Sequence, residues 1–407
     1  MERRDIVIVG GGPAGAATAL HLVRRDPALA ARVLVLERAR HPRPKVCAGG
    51  LIPHALACLE ELGVALDVPH VVVDRARVEV PGRRVEVEGH RFCAVVRRAE
   101  FDAALIAAVR ARGVEVREEE PVRSLARDRD AVVVRTDRET YRAQFVVGAD
   151  GSGSFVRRTL VSTDVAADRS AIGRAVMADL PIAGDCRWDG HERARYEFDF
   201  RAVPGGLQGY AWAFPCFIDG RRHVNAGVYT RRTGVGPDVR ALLDRLQREL
   251  GGASVRHQAA PIRCWSRVPF TAERTLLVGD AAGAEPLMGE GISFAFEYGR
   301  WAATELEVAL ATGALDWRVA EARFRRSWVG RKLRRLDQAA TMFYGRGARL
   351  WLGVAARWSG AQRIGLCWYN GVDGWDRRSG WDALRAALGT RPSANVAPAA
   401  SVMRARS

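Results

Sequence analysis

The residues whose types and spacing suit chemistry fall in a few short runs. Gly10-Gly11-Gly12-Pro13-Ala14-Gly15 follows the apolar run Ile6-Val7-Ile8-Val9. A buried strand ending at Val9 would hand the backbone to glycines that allow a tight turn and close approach to a pyrophosphate. A helix opening near Pro13 would then present free N–H groups and its positive dipole end to the phosphates. Glu37, with Arg38 beside it, closes the next apolar strand about 20 residues on, where an acid reaches ribose hydroxyls. Two further runs join an apolar stretch to a Gly/Asp pair: Val146-Val147-Gly148-Ala149-Asp150-Gly151 and Leu276-Leu277-Val278-Gly279-Asp280. Lys45-Val46-Cys47-Ala48-Gly49-Gly50 sets a thiol beside glycines that let backbone approach something flat. Tyr210-Ala211-Trp212-Ala213-Phe214-Pro215 puts three aromatic rings on one face of a strand, as a wall over a cavity or as a core stripe.

The ordered set is more specific than any member. Asp150-Gly151-Ser152-Gly153-Ser154 with Arg157 resembles the DG motif of the class A flavoprotein hydroxylase superfamily. Gly279-Asp280 resembles its GD motif, and Arg98-Ala99-Glu100-Phe101-Asp102 its R-x-x-F-D segment. The resemblance covers most of the first 300 residues and implies FAD. Carried over residue by residue, cofactor contacts fall on Gly10, Gly12, Pro13, Ala14, Gly15, Glu37, Arg38, Lys45, Arg98, Asp150, Gly279, Asp280, Gly289, Gly291 and Ile292.

Three segments are similar to the geranylgeranyl reductase family. The Lys45–Gly50 loop resembles its K-P-C-G-G loop, with Val46 and Ala48 replacing the proline and first glycine. Tyr210–Pro215 looks like its Y-x-W-x-F-P motif. Gly279-Asp280-Ala281-Ala282-Gly283 with Pro286-Leu287-Met288-Gly289-Glu290-Gly291-Ile292 matches its third motif, and the helix opening near Gly291 would aim N–H groups at the flavin. The resemblance implies reduction of isolated carbon–carbon double bonds in a prenyl chain, by hydride from reduced flavin and a proton from an acid. Cys47 is the first candidate acid, with Tyr210 and an ordered water as the others. Tyr210, Trp212, Phe214, Gly49 and Gly50 would bind the isoprenoid. Arginines at a channel mouth would suit a phosphate or diphosphate head. No second complete dinucleotide fingerprint occurs, so NADPH binding transiently or a ferredoxin-like protein would supply electrons. Two other readings share the scaffold: a flavin-dependent monooxygenase or halogenase, and a prenyl-binding factor without turnover.

These residues need an α/β frame. The expected architecture is a discontinuous FAD-binding Rossmann-type domain (1–70, 95–160 and 270–312), an inserted antiparallel-sheet substrate domain (71–94 and 161–269), a helical C-terminal appendage (313–390) and a disordered tail (391–407). The alternation at 71–80 and 85–88 around Pro81-Gly82 predicts a hairpin of the second sheet. Helices are expected at 100–112, 237–250 and 292–312. The run 324–335 reads as one basic amphipathic helix, either meeting lipid or a long apolar substrate, or presenting a solvated face with its tryptophans on the core.

Composition narrows the partners. At 48% hydrophobic, the 407 residues have the balance of a globular protein with a large core. The net charge of +16 favours anionic partners such as diphosphate or phospholipid heads, an acidic membrane face or an acidic electron donor. No nucleic-acid motif accompanies it. The seven cysteines lack a C-x-x-C pair and the eight histidines lack ligand spacing, so reduced thiols and no metal are expected. The start at Met1-Glu2-Arg3-Arg4 leaves no room for a signal peptide and no apolar run spans a bilayer, so the expected place is the cytoplasm, with peripheral membrane contact. Nothing in the sequence speaks to oligomeric state.

Overall fold

A computed structural model describes residues 1–161, 170–181, 188–189, 193–251, 255–313, 316–358 and 362. The expected tail, most of the region after 358, and Cys186 and Cys367 lie outside the described residues.

The first sheet is built around β1 (Glu2–Val9), a buried Ile/Val strand. On one side it pairs with β2 (Val33–Leu36), which pairs with β6 (Glu115–Arg117); on the other lies β9 (Thr140–Gly148), followed by β17 (Thr275–Leu277). All four pairings are parallel. Short β16 (Thr271–Ala272) pairs antiparallel with β17, and the antiparallel hairpin β7 (Ser124–Asp128) and β8 (Ala131–Arg135) extends from β9. Continuous apolar runs suit such strands, because both faces are covered. Helix α1 (Pro13–Arg25) covers the sheet and is itself covered by α5 (Ile292–Thr312). Gly299 lets α5 approach closely, since a β-carbon there would lie 2.7 Å from the Ala17 β-carbon.

The register explains why distant segments meet. Val9 stands opposite Leu36 and Gly148, and Gly148 stands opposite Leu277. The strands therefore end side by side, and each Gly/Asp run begins on the same edge. That edge, outside the carboxyl ends of parallel strands, is where such sheets bind ligands.

The second sheet runs β15 (Gln258–Arg263), β10 (Ile172–Pro181), β14 (Arg221–Thr230), β13 (Gly209–Ile218), β12 (Arg193–Asp199), β4 (His70–Val80), β5 (Arg83–Val96) and β3 (Gly50–Leu51), with β11 (Trp188–Asp189) beside β12. The expected hairpin is present, with Val78 opposite Val85. The sheet is not uniformly antiparallel, because β12 pairs parallel with β4. These strands come from separate excursions out of the first sheet, and a parallel pair requires a long crossover. One face of β13 carries Tyr210, Trp212 and Phe214. The other carries Ala211 and Ala213, which pack with Leu243 and Leu246 of α4 (Val239–Glu249).

Helix α3 (Arg98–Ala111) starts two residues earlier than its pattern suggests. The single basic helix expected at 324–335 is two helices, α6 (Trp317–Arg326) and α7 (Trp328–Phe343). Ser327 interrupts them in an extended conformation, and its Oγ accepts from Gly330 N at 3.2 Å, capping α7. Phe324 stacks on Tyr298 at 4.7 Å, Trp301 meets Phe270, Trp317 meets Phe145, and Trp328 meets His54. Arg326, Arg331, Arg334 and Arg335 face solvent. The tryptophans of this stretch pack inward, and its arginines are the exposed side. The segment beyond it does more: the end of α7 and α8 (Ala348–Arg357) pack on Val80 of the second sheet and on Val203, in the 3-10 turn Val203–Gly205 that follows β12.

Candidate active site between the two sheets

Three sequence segments build the nucleotide end, and each touches the next. Gly10 has φ +113°, and a β-carbon there would fall 2.3 Å from the Ala149 carbonyl oxygen. A β-carbon on Gly15 would lie 2.0 Å from the Gly10 carbonyl oxygen, so the turn admits only glycine at both points. Gly279, at φ +58°, places the third segment against Ala14. Ser152 Oγ donates to Asp280 Oδ2 at 3.3 Å. Arg157, 1% exposed, donates from Nε to the Ala281 carbonyl (2.8 Å) and from Nη2 to the Ala282 carbonyl (3.2 Å).

The acids have distinct tasks. Glu37 accepts from Gly11 N at 2.8 Å and Ala39 N at 3.0 Å, holding the glycine turn against β2. Asp150 accepts from Ser154 Oγ (2.5 Å), Phe155 N (2.6 Å) and Val156 N (3.1 Å), capping the π-helical turn Arg157–Val161. Burial raises its pKa despite these donors. Arg98 pairs with Asp102 through two bonds of 2.8 and 2.9 Å and also reaches Cys47.

Of the expected cofactor residues, all but Gly15 and Gly279 line one cavity of about 1010 Å³. Those two lie beneath it, as supports. The cradle fits a dinucleotide: Gly12 is an N-cap with no side-chain bond, and α1 has no acid in its first turn to compete with phosphate. The N-terminus of α5 differs from expectation. Glu290 accepts from Ser293 N at 2.8 Å and Ser293 Oγ at 2.6 Å, so part of that helix end is already capped.

The same cavity continues beneath the second sheet. Cys47, Gly49, Gly50, Tyr210, Trp212 and Phe214 all line it. Gly49 has φ +79° and sits where a β-carbon would overlap the Val96 carbonyl oxygen; one on Gly50 would lie 3.1 Å from the Phe214 ring. The glycines thus lay the Cys47 loop flat against β5 and the aromatic wall. Half-buried Cys47 accepts from Gly49 N at 3.4 Å. Tyr210 donates to the Met288 carbonyl at 2.7 Å, and burial pushes its pKa far above a phenol's usual value. Trp212 Nε1 donates to Asn225 Oδ1 at 2.8 Å, and Asn225 to Asp179 at 2.7 Å. Tyr196 and Phe198 extend the wall, with Phe214 5.3 Å from Tyr196 and 5.4 Å from Phe198 between centroids. Beyond it, Val78, Val80 and Val85 face Phe343, Leu352 and Ala356 across the far end.

Two features escaped the sequence reading. Glu285, fully buried, accepts from Leu287 N (2.7 Å), Met288 N (2.7 Å) and Glu290 N (3.0 Å). It shapes the 286–290 loop along the cavity, and burial pushes its pKa up to about 7. The available signal was an acid directly before Pro-x-x-Gly. His54 and Cys58, one turn apart on α2 (Pro53–Glu61), meet Glu297 of α5; the His54 Nε2 to Glu297 Oε1 distance is 3.0 Å. This buried cluster joins the two helices although the histidines show no ligand spacing in sequence.

Together the edge-bound glycine cradle, the buried acids and the roofing sheet define a flavoprotein oxidoreductase. A family model described as FAD binding domain matches residues 3–336, and the chain belongs to that family. It is 32% identical to a menaquinone reductase of Mycolicibacterium smegmatis, over 77% of this chain and 78% of that one. It is 31% identical to digeranylgeranylglycerophospholipid reductase 1 of Methanopyrus kandleri, over 73% and 78%. A solved geranylgeranyl bacteriochlorophyll reductase-like protein of Thermoplasma acidophilum superposes with a TM-score of 0.66 at 22% identity, covering 84% of this chain and 92% of that one; this likeness is one of fold. No helix among the described residues is long and apolar enough to cross a membrane.

Proposed function

We propose that the protein is an FAD-dependent reductase that saturates carbon–carbon double bonds of an isoprenoid chain. One observation carries this reading: the nucleotide cradle and the apolar, aromatic-walled space are a single cavity. The relatives named for menaquinone and for a digeranylgeranyl lipid support it, since both molecules carry isoprenoid chains.

Gly10, Gly12 and the α1 N-terminus would hold the FAD diphosphate, with Glu37 and Asp280 at its hydroxyls. Bound there in its reduced form, FAD would supply a hydride to one alkene carbon. Tyr210, Trp212 and Phe214 grip the chain by shape and exclude water. The Cys47 thiol would give the other carbon its proton and regain one from solvent, so that one C=C becomes CH–CH. Tyr210 serves better as a support than as the acid, because its proton is committed to the Met288 carbonyl and burial makes it hard to release. NADPH or a ferredoxin-like protein restores the electrons.

The test is anaerobic. Reduced enzyme is mixed with geranylgeraniol, a prenyl quinone or geranylgeranyl diphosphate, and flavin absorbance and products are followed. Reoxidation with a hydrogenated chain supports the proposal. Reoxidation only on admitting oxygen, with a hydroxylated or halogenated product, replaces it with a monooxygenase or halogenase. Protein that purifies without flavin and binds prenyl chains marks a carrier.

A further inference from the structure

The cavity's charges are unevenly placed. Its cationic lining residues are Arg38, Arg43, Lys45, Arg98, Arg123 and Arg158; Arg98 opens α3, Lys45 stands on the loop that leads from β2 into β3, and the other four are on loops and turns of the first sheet. Four are engaged: Arg43 beside Glu37 and Asp102, Arg98 with Asp102, Arg123 with Asp137, and Arg158 with the Gly153 carbonyl. Among the described residues, those that the second sheet and the C-terminal helices contribute to the lining include no charge of either sign. They are aliphatic or aromatic, apart from Cys93 and Gln362. Glu290, at the junction, is an acid. In a chain with 63 basic residues and a net charge of +16, this neutrality is not a matter of scarce arginine.

We infer that the substrate's head group is uncharged, of the quinone or alcohol kind, and not a diphosphate or phosphodiester. This rests on the prenyl-chain reading above. A diphosphate taken into the sheet half would lose water with no cation to replace it, and Glu290 would repel it. At the nucleotide end it would compete with the cofactor's own diphosphate for the same N–H groups. A quinone ring can stack on the aromatic wall, and a hydroxyl gives up far less hydration than a diphosphate on entering the apolar half.

The experiment uses oxidised holoenzyme titrated with geranylgeraniol, a menaquinone and geranylgeranyl diphosphate, with binding followed by tryptophan fluorescence at low and high salt. The alcohol and the quinone should bind roughly tenfold or more tightly than the diphosphate, with little salt dependence. Anaerobic turnover then follows. A quinone can also take electrons at its ring, so products are exposed to air before mass analysis: quinol returns to quinone, whereas a saturated chain keeps two added hydrogens. Chain saturation with quinone alone places recognition in the ring; saturation with both neutral compounds places it in the chain, and either outcome supports the inference. A diphosphate that binds as tightly as the alcohol and is hydrogenated overturns the neutral head while leaving the prenyl reductase standing. If no compound binds or is hydrogenated, both fall.

Discussion

The hydroxyl of Tyr210 lies 2.7 Å from the Met288 carbonyl oxygen and donates to it, tying the aromatic wall to the loop that Glu285 shapes. Tyr210→Phe removes that bond and leaves a buried acceptor, at about 1–2 kcal/mol of stability. The expected kinetic result is a raised KM for the prenyl substrate with kcat within about threefold of wild type. A loss of about a hundredfold or more in kcat alone would instead make Tyr210 the acid.

Cys47→Ser should retain FAD, because the loop's shape depends on Gly49 and Gly50 and on packing against β5. Alkene-dependent flavin reoxidation should slow about ten- to a hundredfold, since a hydroxyl is a far weaker acid than a thiol. Unchanged kinetics would remove Cys47 from proton transfer.

Asp280→Ala should purify with depleted flavin, and full occupancy would contradict the assigned cradle. Arg157→Met acts one step away. It strips donors from the Ala281 and Ala282 carbonyls and from the Pro269 carbonyl at 3.0 Å. It should cost about 3 kcal/mol or more in denaturant unfolding and release FAD at lower denaturant than wild type.

Glu285→Ala frees three backbone N–H groups at the cavity wall. Both FAD retention and turnover should fall, with Glu285→Gln intermediate because its amide oxygen keeps one acceptor. If the alanine variant retains flavin and rate, the 286–290 loop does not need this anchor.

Burial, reinforced by Arg300, lowers the pKa of His21 from 6.5 to about 4. Between those values the unfolded chain binds the proton that the folded protein refuses, so stability falls as pH drops from about 6.5 towards 4, by about 3 kcal/mol in full. Above pH 6.5 both states are neutral there and the effect vanishes. Urea unfolding at about pH 7 and pH 4.5 should show a smaller difference in His21→Gln than in wild type. An identical difference would clear His21 of the effect.

The sites were legible in sequence where chemistry is local. Val9 to Gly10, Gly148 to Asp150 and Leu277 to Asp280 each read as strand then turn, because apolar runs and glycines act within a few residues. The ring face of Tyr210, Trp212 and Phe214 followed from a period of two. The rest depends on partners remote in sequence. Arg157 stands out by its motif, but nothing in the sequence says that it bonds the Ala281 and Ala282 carbonyls. The break at Ser327 is set by a single hydroxyl capping α7. Leu352 and Ala356 carry no sign in their spacing that they close a cavity begun at Gly10. The parallel partnership of β4 and β12 has no local signal, since strand pairing is a matter of topology.

That partnership has a consequence for biosynthesis. β4 leaves the ribosome long before β12, and at typical elongation rates the interval is roughly ten seconds. During that time the β4–β5 hairpin carries an open edge on a growing chain, the kind of surface that recruits stray strands. Nascent chains arrested before residue 193 should be cut by protease within 70–96, and chains arrested after 230 should resist. The window for misassembly therefore opens and closes during translation, and synonymous codon choice between β5 and β12 would tune the yield of folded enzyme without changing a single residue.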